Sequence, residues 1–149
     1  PPFKTLLTHG FMVDKDGRKL SKSSGDTVED LFNDYGVDVL RWWVSSLAYE
    51  NDVKVDREFF NAAGESYRKV RNTLRFMLSN LADFTATCEG QPGHCVDLKS
   101  IAPTSIDAWV LGEFQTLAKE VVDAYNRYDF RTAHLKLYDF CNDTLSAVY

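Results

Sequence analysis

From residue 56 onward, apolar side chains return every three or four positions: Ala63, Tyr67, Val70, Leu74, Met77 and Leu81. An α-helix turns about 100° per residue, so these positions fall on one stripe of a helix reaching from about 56 to 82. A second stripe runs through Ile106, Val110, Phe114, Leu117, Val121, Ala124 and Tyr128, with Ser105 placed to cap its start. Asp129 breaks that pattern and caps a last helix carrying Ala133, Leu137, Cys141, Leu145 and Val148 on one side. Residues 85–103 hold Gly90, Pro92, Gly93 and Pro103 and read as a loop. Long amphipathic helices joined by loops must bury their stripes against one another. The chain is therefore expected to be mainly α, with a helical bundle over 56–149.

The first third reads differently. Residues 5–13 are apolar and rich in extended-chain formers, and Asp14-Lys15-Asp16-Gly17 is a turn signal. The expectation is a β-hairpin with Arg18 and Lys19 pairing back. A helix follows, capped by Asp26 or Thr27, with Glu29 and Asp30 in its first turn and Gly36 at its end. Asp38 opens another, carrying Val39, Leu40, Trp43, Val44 and Leu47; Val53 and Val55 alternate with Lys54 as a short strand. The order over 5–55 is strand, helix, helix, strand.

Composition narrows the classes. In 149 residues, 44% of them hydrophobic, there is material for a real core. No apolar run is long enough to cross a bilayer, and no signal peptide is expected. A net charge of −5 argues against a generic nucleic-acid binder while leaving room for a local basic stripe. Three cysteines, an odd number, point to reduced thiols and a cytoplasmic protein. Cys88, His94 and Cys95 cluster in the loop but lack a fourth ligand and zinc-like spacing, so no metal site is expected; Cys141 reads as core. His9 reads as a packed, hydrogen-bonded histidine, and Trp42, Trp43 and Trp109 as packing aromatics. The chain opens Pro1-Pro2 and stops at Tyr149 inside a helical pattern, which reads as a piece cut from a larger protein.

Between hairpin and helix lies GRKLSKSSGD, residues 17–26. Its lysines supply charge, and its serines and backbone N–H groups supply directional donors, a combination suited to a polyanion. Taken alone, such a turn is more often solvated surface. Lys19-Leu20-Ser21-Lys22-Ser23, however, resembles the KMSKS signature of class I aminoacyl-tRNA synthetases, with Leu20 in the Met position. Residues 35–43, YGVDVLRWW, resemble the helix that follows this loop in that family. YENDV at 49–53 and YRKVRNTLRF at 67–76 resemble its isoleucyl branch, and the likeness continues at 128–130 and 137–141.

The resemblance implies a division into 1–26, the end of a catalytic region; 27–55, a stem-contact segment; and 56–149, part of an anticodon-binding helical bundle. It implies an ATP-dependent ligase that activates isoleucine as the adenylate and passes it to tRNA(Ile), with Mg2+ accompanying ATP and a monomeric parent. Lys22 is the foremost residue for contact with the ATP phosphates and Lys19 the second, while Ser21 and Ser23 shape the loop or donate to the nucleotide. Ser24 and Asp26 depart from the commoner Leu and Asn, which touches loop packing rather than the lysine chemistry. Arg68, Arg71 and Arg75 share one helical face. They could track a tRNA phosphate backbone or form a salt-bridged flank, and the resemblance favours the former. The piece alone would be inactive, having half an ATP site. The rival readings are a valyl or leucyl relative, a non-catalytic RNA-binding helical module, and a plain helical scaffold.

Overall fold

The computed structural model describes residues 2–20, 28–82 and 98–149. In chain order the elements are β1 (Met12–Val13), α1 (Val28–Tyr35), α2 (Val37–Ser45), β2 (Val53–Lys54), α3 (Arg57–Ser79), α4 (Ile106–Asn126) and α5 (Phe130–Asp139). A 3-10 turn at Leu98–Ser100 precedes α4, and a π-helical turn at Phe140–Leu145 continues α5. The strand–helix–helix–strand order and the helical second half match the expectation from sequence.

The N-terminal hairpin is smaller than expected. Its tip forms: the Asp14 carboxylate accepts from the Asp16 and Arg18 amides at 2.9 and 2.8 Å, and Gly17 takes the left-handed φ of 82° that the turn requires. Among the described residues one antiparallel bridge follows, Val13 to Lys19, with the Leu20 amide donating to the Met12 carbonyl at 2.9 Å. Residues 5–11 are not a strand. The other edge of β1 instead pairs in parallel with β2, Met12 opposite Val53 and Val13 opposite Lys54. Gly10 permits this, because a Cβ there would collide with the Asn51 carbonyl.

Helices α1 and α2 meet at a single residue, Gly36, whose φ of 82° redirects the chain. Behind them lies a core of Leu40, Trp43, Phe60 and Ala63, flanked by Leu31, Tyr35, Val39, Leu47, Val53 and Val55. Phe60, only 1% exposed, is its centre; the Trp43 ring meets it edge-on at 4.7 Å and Tyr35 lies at 5.2 Å. The α3 stripe passes out of this core: Ala63 is buried and Val70 half-buried, but Leu74, Met77 and Leu81 are exposed among the described residues.

Asp56 caps α3 through the Glu58 amide, Ser105 caps α4 through Ala108, and Asp129 caps α5 through Thr132. Helix α4 packs on α5, and Ala124 and Ala133, 0% and 1% exposed, are the most buried residues of the pair. The corner between them is a Schellman turn with Tyr128 at the position glycine usually occupies, φ 61°. The Tyr128 amide donates to the Tyr125 carbonyl at 3.0 Å and the Asp129 amide to the Ala124 carbonyl at 2.9 Å. A left-handed tyrosine costs about 1–3 kcal/mol, so surrounding contacts hold it there. Cys141 is buried, as expected. His9 and Trp109 are exposed, against expectation, because no described element covers their sides of the chain; the His9 ring does lie 2.7 Å from the Gly10 carbonyl. No helix among the described residues is long and apolar enough to cross a membrane.

Candidate functional site

The lysine loop leaves from β1. Backbone bonds on either side of Lys19 hold it against Val13 and Met12, so its side chain starts from a fixed base. The ammonium stands 4.0 Å from the centre of the exposed Phe11 ring, a cation–π contact. Such a contact at an exposed site contributes about 0.5–1 kcal/mol, weak enough for a polyanion to displace. Lys22, Ser21 and Ser23, with Ser24 and the capping candidates Asp26 and Thr27, lie outside the described residues, as do Cys88, His94 and Cys95. Among the described residues no three His, Cys, Asp or Glu side chains group as metal ligands.

The arginines divide. Arg68 and Arg71 line an open cleft of about 690 Å³ between α3 and the α1–α2 corner, facing Asp34, Asp38 and Tyr67; Arg75 is not among its lining residues. Arg68 is paired with Glu65 at 3.1 Å, as the salt-bridged reading holds. The nearby carboxylates are engaged too: Asp34 by Arg57 at 3.1 Å, Asp38 by Arg41 at 3.7 Å and by the Tyr67 hydroxyl at 3.2 Å. Arg71 and Arg75 are exposed and make no ion pair among the described residues, leaving their guanidinium groups available to phosphate.

Two residues join the halves of the molecule: His134, which no sequence motif marks, and Tyr49, the first residue of the YENDV stretch. His134 on α5 is buried, with Nδ1 2.9 Å from the Ser45 hydroxyl of α2 and its ring 4.1 Å from that of Trp42; burial pushes its pKa down. Its one sequence signal is helical spacing, three residues before Leu137 and seven before Cys141. Tyr49 bonds at both ends. Its hydroxyl donates to the Tyr128 carbonyl at 2.9 Å, and its own carbonyl accepts from the Gly10 amide at 2.8 Å.

Residues 1–56 match the family described as tRNA synthetases class I (I, L, M and V), and residues 107–149 match the anticodon-binding domain of tRNA ligase. The chain is 39% identical over 150 residues to the isoleucine–tRNA ligase of Legionella pneumophila (strain Lens), across 99% of this chain and 15% of that protein. Residues 1–56 belong to the class I tRNA synthetases. The isoleucine–tRNA ligases of Desulfotalea psychrophila and Cupriavidus pinatubonensis are each 40% identical over 151 residues, again across 15% of their length. The chain thus spans about 15% of the length of the curated relatives it matches. The synthetase match takes in β1, the lysine loop, α1, α2 and β2, and the anticodon-binding match takes in α4 and α5.

Proposed function

We propose that this chain is the part of an isoleucine–tRNA ligase that carries the lysine loop and a tRNA-docking helical unit. The observation that carries the reading is identity of 39–40% running through both regions to isoleucine–tRNA ligases. In the reaction, the isoleucine carboxylate attacks the α-phosphate of ATP, pyrophosphate leaves, and the adenylate then passes its acyl group to the terminal ribose of tRNA. The first step needs no protein nucleophile. Negative charge shifts along the phosphates, and ammonium groups that meet it in the transition state lower the barrier. Lys22 and Lys19 supply those groups, and Ser21 and Ser23 shape the loop or donate to the nucleotide. Mg2+ accompanies ATP, with no step assigned to it here. The free guanidinium groups of Arg71 and Arg75 support contact with the tRNA backbone, Arg68 contributing less because of Glu65. The functional division at 1–26, 27–55 and 56–149, and a cytoplasmic, monomeric parent, complete the reading.

The full-length protein carrying this chain should catalyse isoleucine-dependent exchange of pyrophosphate into ATP and charge isoleucine tRNA. Lys22→Ala should slow adenylation about 100-fold while changing isoleucine binding little. Charging of valine or leucine tRNA alone, or an unchanged adenylation rate in the variant, would overturn the assignment.

A further inference from the structure

We propose that Tyr49 is a positioning residue that ties the α4–α5 corner to Lys19, so that the docking state of the helical unit alters how readily Lys19 leaves Phe11 for phosphate. The inference rests on the proposed ligase reading. It starts from a continuous set of contacts. The Tyr128 carbonyl, fixed by the left-handed Schellman turn, accepts the Tyr49 hydroxyl at 2.9 Å. The Tyr49 ring packs 5.6 Å from Phe130, the first residue of α5, and Phe130 packs 5.5 Å from Tyr125 on α4. Thus Tyr49 touches the corner itself and the start of α5, and reaches α4 through Phe130.

The other end of Tyr49 reaches the segment just before β1. Its carbonyl accepts the Gly10 amide at 2.8 Å, the Phe11 amide donates to the Asp52 carboxylate at 2.8 Å, and the Val53 amide donates to the Phe11 carbonyl at 2.8 Å. Phe11 is therefore held by its own backbone in a place set by residues 49–53, and its ring carries the Lys19 ammonium. The absent Cβ of Gly10 brings the two segments close enough for this pairing. Movement of the α4–α5 corner pulls on the segment leading into β1, whose next side chain holds the lysine. Lys19 has two arrangements, on the Phe11 ring or on a nucleotide phosphate, which is the bistable element such coupling requires.

The test uses the full-length protein, a nonhydrolysable ATP analogue and isoleucine tRNA. The analogue's Kd is measured with and without saturating tRNA in the wild type, Tyr49→Phe and Phe11→Leu. The Tyr49→Phe change removes only the hydroxyl, and Phe11→Leu removes the exposed ring at the far end of the path. The expected result is a wild-type Kd ratio of about fivefold. Both variants should bring that ratio to about one, each melting within the error of the wild type. By reciprocity, the tRNA Kd should show the same ratio with and without the analogue. A wild-type ratio of one, or a variant that keeps the wild-type ratio, would overturn the proposal. Absence of isoleucine-dependent pyrophosphate exchange in the wild type would instead remove the ligase reading beneath it.

Discussion

The Ser45 hydroxyl lies 2.9 Å from Nδ1 of His134, joining α2 to α5 across 89 residues of chain. Ser45 also donates to the Trp42 carbonyl at 2.7 Å, so at His134 its oxygen serves as acceptor and the imidazole carries its proton on Nδ1. The Trp42 indole, which packs at a tilt against that imidazole, donates in turn to the Ser66 hydroxyl of α3 at 2.8 Å. Three helices are thereby joined in series, α5 to α2 through the imidazole and α2 to α3 through the indole.

That arrangement makes stability depend on pH in one direction. Burial lowers the His134 pKa from its ordinary 6.5, so the unfolded chain takes up a proton before the folded one does. The neutral ring contributes its full stability above the ordinary value, and the contribution is lost as pH falls through the lowered folded value. The melting temperature of the wild type should therefore drop further between about pH 7 and about pH 5 than that of His134→Gln. Thermal melts across that window check it; parallel curves would count against the buried imidazole.

Gly10→Ala should separate β1 from β2. An alanine methyl would overlap the Asn51 carbonyl, and overpacking of this kind costs about 1–3 kcal/mol. Hydrogen exchange is the direct measure. The Val53 and Val55 amides, which donate to Phe11 and Val13 at 2.8 and 2.9 Å, should lose protection while those of α4 keep theirs.

Phe60→Ala should be among the most damaging core changes, lowering unfolding free energy by about 3–5 kcal/mol in urea titrations. The ring is 1% exposed and its removal leaves Trp43 and Tyr35 facing a void. Phe59, its exposed neighbour, should tolerate alanine far better.

The arginine face gives a salt-dependent prediction. If Arg71 and Arg75 each meet a phosphate, replacing either with alanine should reduce the slope of log Kd for tRNA against log salt by about 0.7–0.9. Arg68→Ala should change it less, since its guanidinium is already engaged by Glu65 at 3.1 Å. Equal effects at all three positions would show that this pair opens on binding.

Much of the helical half is legible because its determinants are local. The caps Asp56, Ser105 and Asp129 stand where side-chain oxygens can reach the first free amides, and each does so. The Gly36 junction follows from one residue's freedom at positive φ. The stripes identify buried faces but not how far the burial continues. Leu74 and Leu81 belong to the same stripe as Ala63 yet stay exposed, although α3 still meets the π-helical turn at Thr73, whose hydroxyl lies 3.0 Å from that of Ser146. The corner at Tyr128 is hidden for the opposite reason: its signal, a glycine, is absent, and tertiary contacts hold a tyrosine in the conformation instead.

Residue order alone settles the helix starts, the Gly36 break, the turn at 14–17 and the lysine-bearing signature, since each depends on groups within a few bonds of one another. Only the folded chain decides that β1 turns to β2 rather than extending a hairpin, that His134 is enclosed beside Trp42, and that Tyr49 spans from Tyr128 to Gly10. Those are pairings between residues some 40 to 90 positions apart. No local period distinguishes them from competing partners, and their selection follows from which apolar surfaces and unpaired backbone groups remain once the helices have packed.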